Sequence, residues 1–142
     1  MSIDRVVWID RGWQPVPIGF CPTEAAWKRA ARRYNLDAEW PDLSTVGALT
    51  HMLKNDAGDA IILVVIGPKA ERSALDAIAT LVHEAVHVWQ FLCQDISEKD
   101  PGIEMEAYGI EAISRGLIDA YCRTLGKGKN WIDTLPTNAR PV

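Results

Sequence analysis

Residues 74–94 carry the pattern that most limits how this chain can fold. Ser73 and Asp76 form an S-x-x-D pattern typical of a helix N-terminus, in which the serine caps the first turn. On a helical wheel of about 100° per residue, the apolar side chains that follow occupy about 100° of arc on one side. They are Ile78, Leu81, Val82, Ala85, Val88, Trp89 and Leu92. The pattern predicts a helix whose apolar stripe packs on a sheet.

Upstream segments supply the predicted strands. The segment DAIILVVIG (59–67) has the clearest strand pattern, and its apolar run is far too short to span a membrane. GALTHML (47–53) predicts a second strand that can pair with it as a hairpin through the turn NDAG (55–58). RVVWID (5–10) is consistent with a short strand. GWQPVPIGF (12–20) contains two prolines, which predicts a loop or an edge segment.

Two further helices are bounded by capping residues. Thr23 is a predicted N-cap, and the helix that it begins is expected to end at Asn35. In the last helix Asp100 is the predicted N-cap and Pro101 takes the first helical position, where its missing N–H costs nothing. Gly126 is the predicted stop. Strands and helices together indicate an α+β fold.

Composition narrows the classes of function. A length of 142 residues predicts one domain over residues 1–142, and the net charge of −4 argues against broad electrostatic binding of nucleic acid. Three widely spaced cysteines suggest no disulfide framework. Asp4 and Arg5 precede the first apolar run, which is unlike a signal peptide. We therefore expect a cytoplasmic protein with neither a membrane nor a nucleic-acid partner.

The segment HEAVHVWQ (83–90) contains an H-E-x-x-H motif on the side of the helix away from the apolar stripe. His83 and His87 lie one turn apart, so both imidazoles can reach one tetrahedral zinc ion (Zn²⁺), and Glu84 can hold and deprotonate a water molecule on it. Shuffled sequences of this composition would contain the motif about three times in a thousand. Gln90 shares this face, where it can touch substrate, orient a ligand or simply be an exposed helix residue.

A third metal ligand is predicted among the acids of the last helix. The apolar sector of that helix is formed by Ile103, Ile110, Ile113, Leu117 and Tyr121. Glu106 alone among the acids falls inside this sector, where a carboxylate is costly unless it is paired or bound to metal. Glu104 and Glu111 project to the far side, and Glu111 can pair with Arg115. His51 is a possible ligand that no spacing favours.

Small residues on the predicted last helix would let another helix approach it closely: Gly109, Gly116 and Ala120.

These motifs resemble those of a known group of enzymes. An H-E-x-x-H with eighteen residues between its last His and a Glu on the next helix resembles the gluzincin group of zinc metallopeptidases. HEAVHVWQ with EMEAYGIEAI, together with IGFCPTEAAWKRAARR, is more similar to small phage and prophage metallopeptidase-like proteins. E-A-Y is also similar to the E-A-N motif of the domain that cleaves phage repressors. The resemblance implies a zincin-like fold, zinc ligands His83, His87 and Glu106, and Glu84 as general base.

The function that these features predict is zinc-dependent hydrolysis of a peptide bond in a peptide or protein substrate. The alternatives are a non-enzymatic regulatory or binding protein with a structural zinc site, and a zinc hydrolase acting on another amide. Glu84 favours an enzyme, because a structural site needs no base and usually takes a fourth protein ligand. His51, Tyr108 and Arg115 are candidates to stabilise an oxyanion. The strand at 59–67, or its partner, can hold substrate if it forms the sheet edge.

Overall fold

A four-stranded mixed sheet forms the middle layer of the computed structural model, which describes residues 3–10 and 12–125. The strands are β1 (Val7–Trp8), β2 (Ile18–Phe20), β3 (Ala48–Lys54) and β4 (Ala60–Ile66). Their order across the sheet is β1-β2-β4-β3, so β1 and β3 are the edges. β2 runs parallel to β4, and both edge strands run antiparallel to their neighbours. The predicted hairpin is confirmed as β3–β4.

Within the described residues, three α-helices cover the sheet. They are α1 (Glu24–Arg33), α2 (Ala74–Asp95) and α3 (Ile103–Thr124). The first two begin where predicted, because the Thr23 hydroxyl accepts the backbone N–H of Ala26 at 3.2 Å and the Ser73 hydroxyl accepts that of Asp76 at 3.1 Å. Each bond satisfies a backbone donor that the first turn would otherwise leave unpaired. Together the sheet and helices confirm the α+β class.

β4 is apolar throughout because it is buried on both faces. Ile62 and Val64 pack into the cluster that contains α2 and α3. Ile61, Leu63 and Val65 pack into a second cluster with α1 on the opposite face. Side chains of a strand alternate between the two faces, so a central strand with helices on both sides needs an apolar residue at every position. The run of β4 therefore places α1 on one side of the sheet and the motif helix α2 on the other.

The prediction of a loop or edge segment at 12–20 is wrong at its end. Ile18–Phe20 form β2, an interior strand between β1 and β4. Pro15 and Pro17 precede the strand, so neither proline removes a donor from within it. Three residues without proline are enough for an interior strand, and the prolines obscured them.

α3 begins two residues later than predicted. Gly102, which offers no side-chain cap, occupies the N-cap position. Asp100 lies instead in the loop after α2, where its backbone N–H donates to the Glu98 carboxylate at 3.1 Å. Ile103 is 86% exposed, which contradicts its place in the apolar sector, whereas Leu117 is fully buried. The first two turns of α3, residues 103–108, are exposed all round, so only the later turns bury an apolar face.

Gly126, the predicted stop of α3, lies outside the described residues. Among the described helices, none combines the length and the apolarity that crossing a bilayer requires.

Candidate metal centre

His83 and His87 meet on the outer side of α2. Their Nε2 atoms are 3.1 Å apart, and the rings are nearly perpendicular with centroids 4.8 Å apart. Two imidazole nitrogens on a tetrahedral zinc at about 2.0–2.1 Å are about 3.4 Å apart. The pair therefore fits two positions of a zinc ion with only a small adjustment. His83 is exposed and His87 is half-buried, so the pair is open to solvent.

Gln90 orients one of the imidazoles. Its Oε1 lies 2.9 Å from Nδ1 of His87. An amide oxygen only accepts hydrogen bonds, so this contact suits the tautomer of His87 with its proton on Nδ1 and a lone pair on Nε2. Histidines that bind metals are commonly oriented through the other ring nitrogen in this way. The contact fits the predicted role of a residue that orients an imidazole, and Gln90 is also exposed, as predicted for a surface residue of the helix.

Glu84 points toward the sheet and away from solvent. It is 4% exposed, and the Thr50 hydroxyl on β3 donates to its Oε2 at 2.5 Å. The helical wheel predicts Val82 within the packing stripe and the H-E-x-x-H motif on the opposite side of the helix. Val82 is instead 39% exposed, so its placement was wrong. α2 is turned so that Glu84 packs against β3, where Thr50 supplies the partner that a buried carboxylate requires.

Glu106 contacts α2 through Trp89. Its Oε2 accepts a hydrogen bond from the indole Nε1 of Trp89 at 3.0 Å. The Glu106 side chain is exposed overall, contrary to the predicted inward position, while Trp89 is 2% exposed. Gly109 allows this contact, because a Cβ there would lie 2.3 Å from the indole ring. As predicted, a small residue on α3 permits the close approach of another helix.

The third ligand stays a prediction. Within residues 3–10 and 12–125, no group of three or more His, Cys, Asp or Glu side chains is arranged to hold a metal ion. The structure brings together His83 and His87, and it joins Glu106 to Trp89, two residues beyond the second histidine. Imidazole nitrogens suit zinc, so the residues present fit two of the three predicted ligand positions.

His51 lies on the opposite face of the sheet from the histidine pair. It alternates with Thr50 along β3 and packs edge-on against Trp27 of α1, with ring centroids 5.5 Å apart. Its Nε2 is buried without a hydrogen-bond partner in the described part of the chain. Burial lowers the pKa of the His51 imidazole, and the Glu84 carboxylate raises it by a smaller amount. Its position across the sheet argues against His51 as a ligand or an oxyanion donor.

The remaining candidates lie along α3. Glu104 and Glu111 are exposed, as predicted, and Glu111 pairs with Arg115 at 3.5 Å. Tyr108 is 66% exposed. Tyr108 and Arg115 line a cavity of about 570 Å³ between α3 and β1. Neither His83 nor His87 lines that cavity. The cavity therefore gives Tyr108 and Arg115 no position as oxyanion donors beside the histidine pair.

Thr50 is the site residue that sequence reasoning missed. The strand prediction for 47–53 contains it, and alternation puts Thr50 on one face and His51 on the other. The signal in the sequence is a polar residue in the middle of a predicted strand. Its role becomes apparent only from the packing of β3 against α2, which brings Thr50 to the buried Glu84.

Comparisons with known proteins found no matching family model, no matching curated protein and no matching solved structure. The resemblance to gluzincins therefore stays a prediction carried by the motif residues.

Proposed function

We propose that this protein is a zinc-dependent hydrolase that cleaves peptide bonds, with the zincin-like arrangement that its motif implies. One observation carries the proposal: two imidazole nitrogens converge at 3.1 Å beside a buried glutamate that a threonine hydroxyl holds in place. A pair of histidines without a neighbouring base would favour simple metal storage or a structural role. The combination of both features supports hydrolysis.

In this proposal each residue of the site has a separate chemical role. His83 and His87 would hold zinc through Nε2, and Glu106 is the proposed third ligand. A bound zinc would supply Lewis-acid chemistry that lowers the pKa of water and polarises the scissile carbonyl. Glu84 takes a proton from the attacking water and passes it to the leaving amine. The hydrogen bond from Thr50 occupies Oε2 of Glu84, which leaves Oε1 for the proton.

The edge position of β3 supports a peptide as the substrate. Among residues 3–10 and 12–125, β3 pairs with β4 on one side only, so its other side presents backbone donors and acceptors. An extended peptide can add to such an edge through main-chain hydrogen bonds. Thr50 belongs to β3 and touches Glu84, so a peptide added there would run close to the proposed base. The other amide substrates considered would not use an edge strand in this way.

Metal binding tests the first half of the proposal. Zinc titrated into metal-free protein is expected to bind at about one ion per chain by calorimetry and elemental analysis. His83→Ala and His87→Ala should each abolish tight binding. Gln94→Ala, at an exposed position on the same helix, is the matched control and should bind as the wild type does. Absence of zinc binding by the wild type would refute the proposal.

Glu84→Gln tests the second half. The variant keeps both histidines and should retain zinc, while hydrolysis of a mixed-sequence peptide library should fall at least about a hundredfold. Mass spectrometry of the library measures cleavage and identifies the bonds that are cut. Wild-type turnover by Glu84→Gln would show that the mechanism is wrong. Zinc binding by the wild type without any cleavage would favour the structural zinc site.

A further inference from the structure

A cavity of about 200 Å³ lies between β1 and α1, on the face of the sheet opposite to α2. Three arginines line it, Arg5 from the segment before β1 and Arg29 and Arg33 from α1. We call it the arginine cavity. We propose that the arginine cavity binds a phosphate group. The inference is independent of the proposed hydrolase function, because none of its residues belongs to the metal centre.

Small residues shape the floor and one wall of the cavity. Ala26 and Ala30, one turn apart on α1, are both buried and line the cavity. Their short side chains leave space beside the arginines of the same helix. Trp8 forms the opposite wall. Gly19 of β2 lets the indole lie there, because a Cβ at Gly19 would be 2.9 Å from the Trp8 ring and 2.3 Å from Val6. The hollow is therefore built by packing on both elements.

The positive charge of the cavity is only partly compensated. Arg29 pairs with Asp4 at 3.2 Å. In residues 3–10 and 12–125, no carboxylate forms an ion pair with Arg5 or Arg33. Arg29 and Arg33 are four residues apart on α1, a spacing at which like charges repel. An anion between them would relieve this repulsion.

Aromatic contact holds one of the arginines. The guanidinium carbon of Arg33 lies 5.4 Å from the centroid of the Tyr34 ring, and Tyr34 in turn packs against Trp8 with centroids 5.8 Å apart. A guanidinium held against an aromatic ring loses less freedom when it binds an anion. The whole chain carries a net charge of −4, so the three arginines are a local concentration of positive charge and not part of a generally basic surface.

Charge, shape and size together favour a single phosphate group. Guanidinium groups present paired N–H donors that match the oxygens of phosphate. A doubly charged anion balances the excess of two positive charges that three arginines and one aspartate leave. Sites for drug-sized ligands usually occupy about 300–1,000 Å³, so this cavity suits one tetrahedral anion better than a whole nucleotide. The phosphate can be a free ion or can belong to a phosphorylated side chain.

Calorimetry with inorganic phosphate tests the proposal on the full metal-free chain at constant ionic strength. The wild type should show saturable binding of one phosphate, and Arg5→Gln and Arg33→Gln should each weaken it at least about tenfold. Arg32→Gln is the matched control, because it removes an equal charge from an exposed neighbour on α1 that does not line the cavity. Equal weakening by Arg32→Gln, or no saturable binding by the wild type, would overturn the proposal.

A local signal and a second ligand complete the test. Phosphate should shift the indole N–H resonance of Trp8, which lines the cavity, and leave that of Trp89 on the other face unchanged. Shifts at both indoles alike would contradict a defined site. A phosphoserine peptide that binds more tightly than inorganic phosphate would identify a phosphorylated chain as the source. Tighter binding of the free ion would identify a small phosphate, and either result supports the site.

Discussion

The Thr50 hydroxyl donates a hydrogen bond to Oε2 of Glu84, joining the edge strand β3 to the motif helix α2. Glu84 is the one charged residue among the buried side chains of the described chain, at 4% exposure. A buried carboxylate is costly without such a partner. The same contact therefore stabilises the packing of α2 on the sheet and orients the acid that the proposed mechanism uses.

Thr50→Val should destabilise the fold by about 1–3 kcal/mol, because it keeps the shape of the side chain but leaves the Glu84 carboxylate without its donor. Thr50→Ser retains the hydroxyl and should lose clearly less. Urea unfolding followed by circular dichroism measures both variants against the wild type. If valine and serine cost the same, the hydrogen bond contributes nothing measurable.

Glu106→Ala should weaken zinc binding at least about tenfold. Removing a group that only orients a metal ligand costs about 10–100-fold in affinity, so removing a ligand itself should cost no less. Glu104→Ala, exposed and two residues away, should bind zinc and melt as the wild type does. Because Glu106 accepts the Trp89 N–H at 3.0 Å, its recruitment to zinc should also shift the Trp89 indole resonance. Equal losses in the two variants would remove Glu106 from the site.

His51 should make the fold less stable in mild acid. Burial holds the pKa of its imidazole below the ordinary 6.5, so protonation is easier in the unfolded chain. Its contribution to stability is present above pH 6.5 and is lost as the pH falls through the lower folded-state pKa. His51→Leu should therefore lose less unfolding free energy than the wild type between pH about 7.5 and about 5. Urea unfolding of both metal-free proteins measures this, and equal losses would contradict it.

Gly109→Ala should destabilise the α2–α3 contact by about 1–3 kcal/mol, the usual cost of overpacking. The added Cβ would lie 2.3 Å from the ring of Trp89, which is too deeply buried to move freely. Gly102→Ala at the start of the same helix is the control, because nothing lies within 4 Å of its Cβ. Thermal melting compares the two, and a neutral Gly109→Ala would mean that the helices separate without cost.

Local patterns were enough to predict most of the elements. Thr23 and Ser73 cap their helices as expected, because each bond joins a side chain to a backbone N–H only three residues away. The β3–β4 hairpin follows from an apolar run beside a turn at Gly58, whose φ of 89° suits glycine. The motif also placed the two imidazoles within reach of one ion, since residues four apart on a helix are neighbours.

Only the tertiary structure decided how those elements face one another. A helical wheel locates the apolar arc but does not determine how the helix is rotated about its axis when it packs on the sheet. Here Glu84 is buried and hydrogen-bonded to Thr50 on β3, while Val82 is exposed to solvent. The same limit applies to Glu106, whose partner is the Trp89 indole of another helix. Hydrogen bonds between distant segments depend on which groups packing brings together. The sequence by itself thus determined most of the elements and the histidine pair, and packing determined which side chains complete the site.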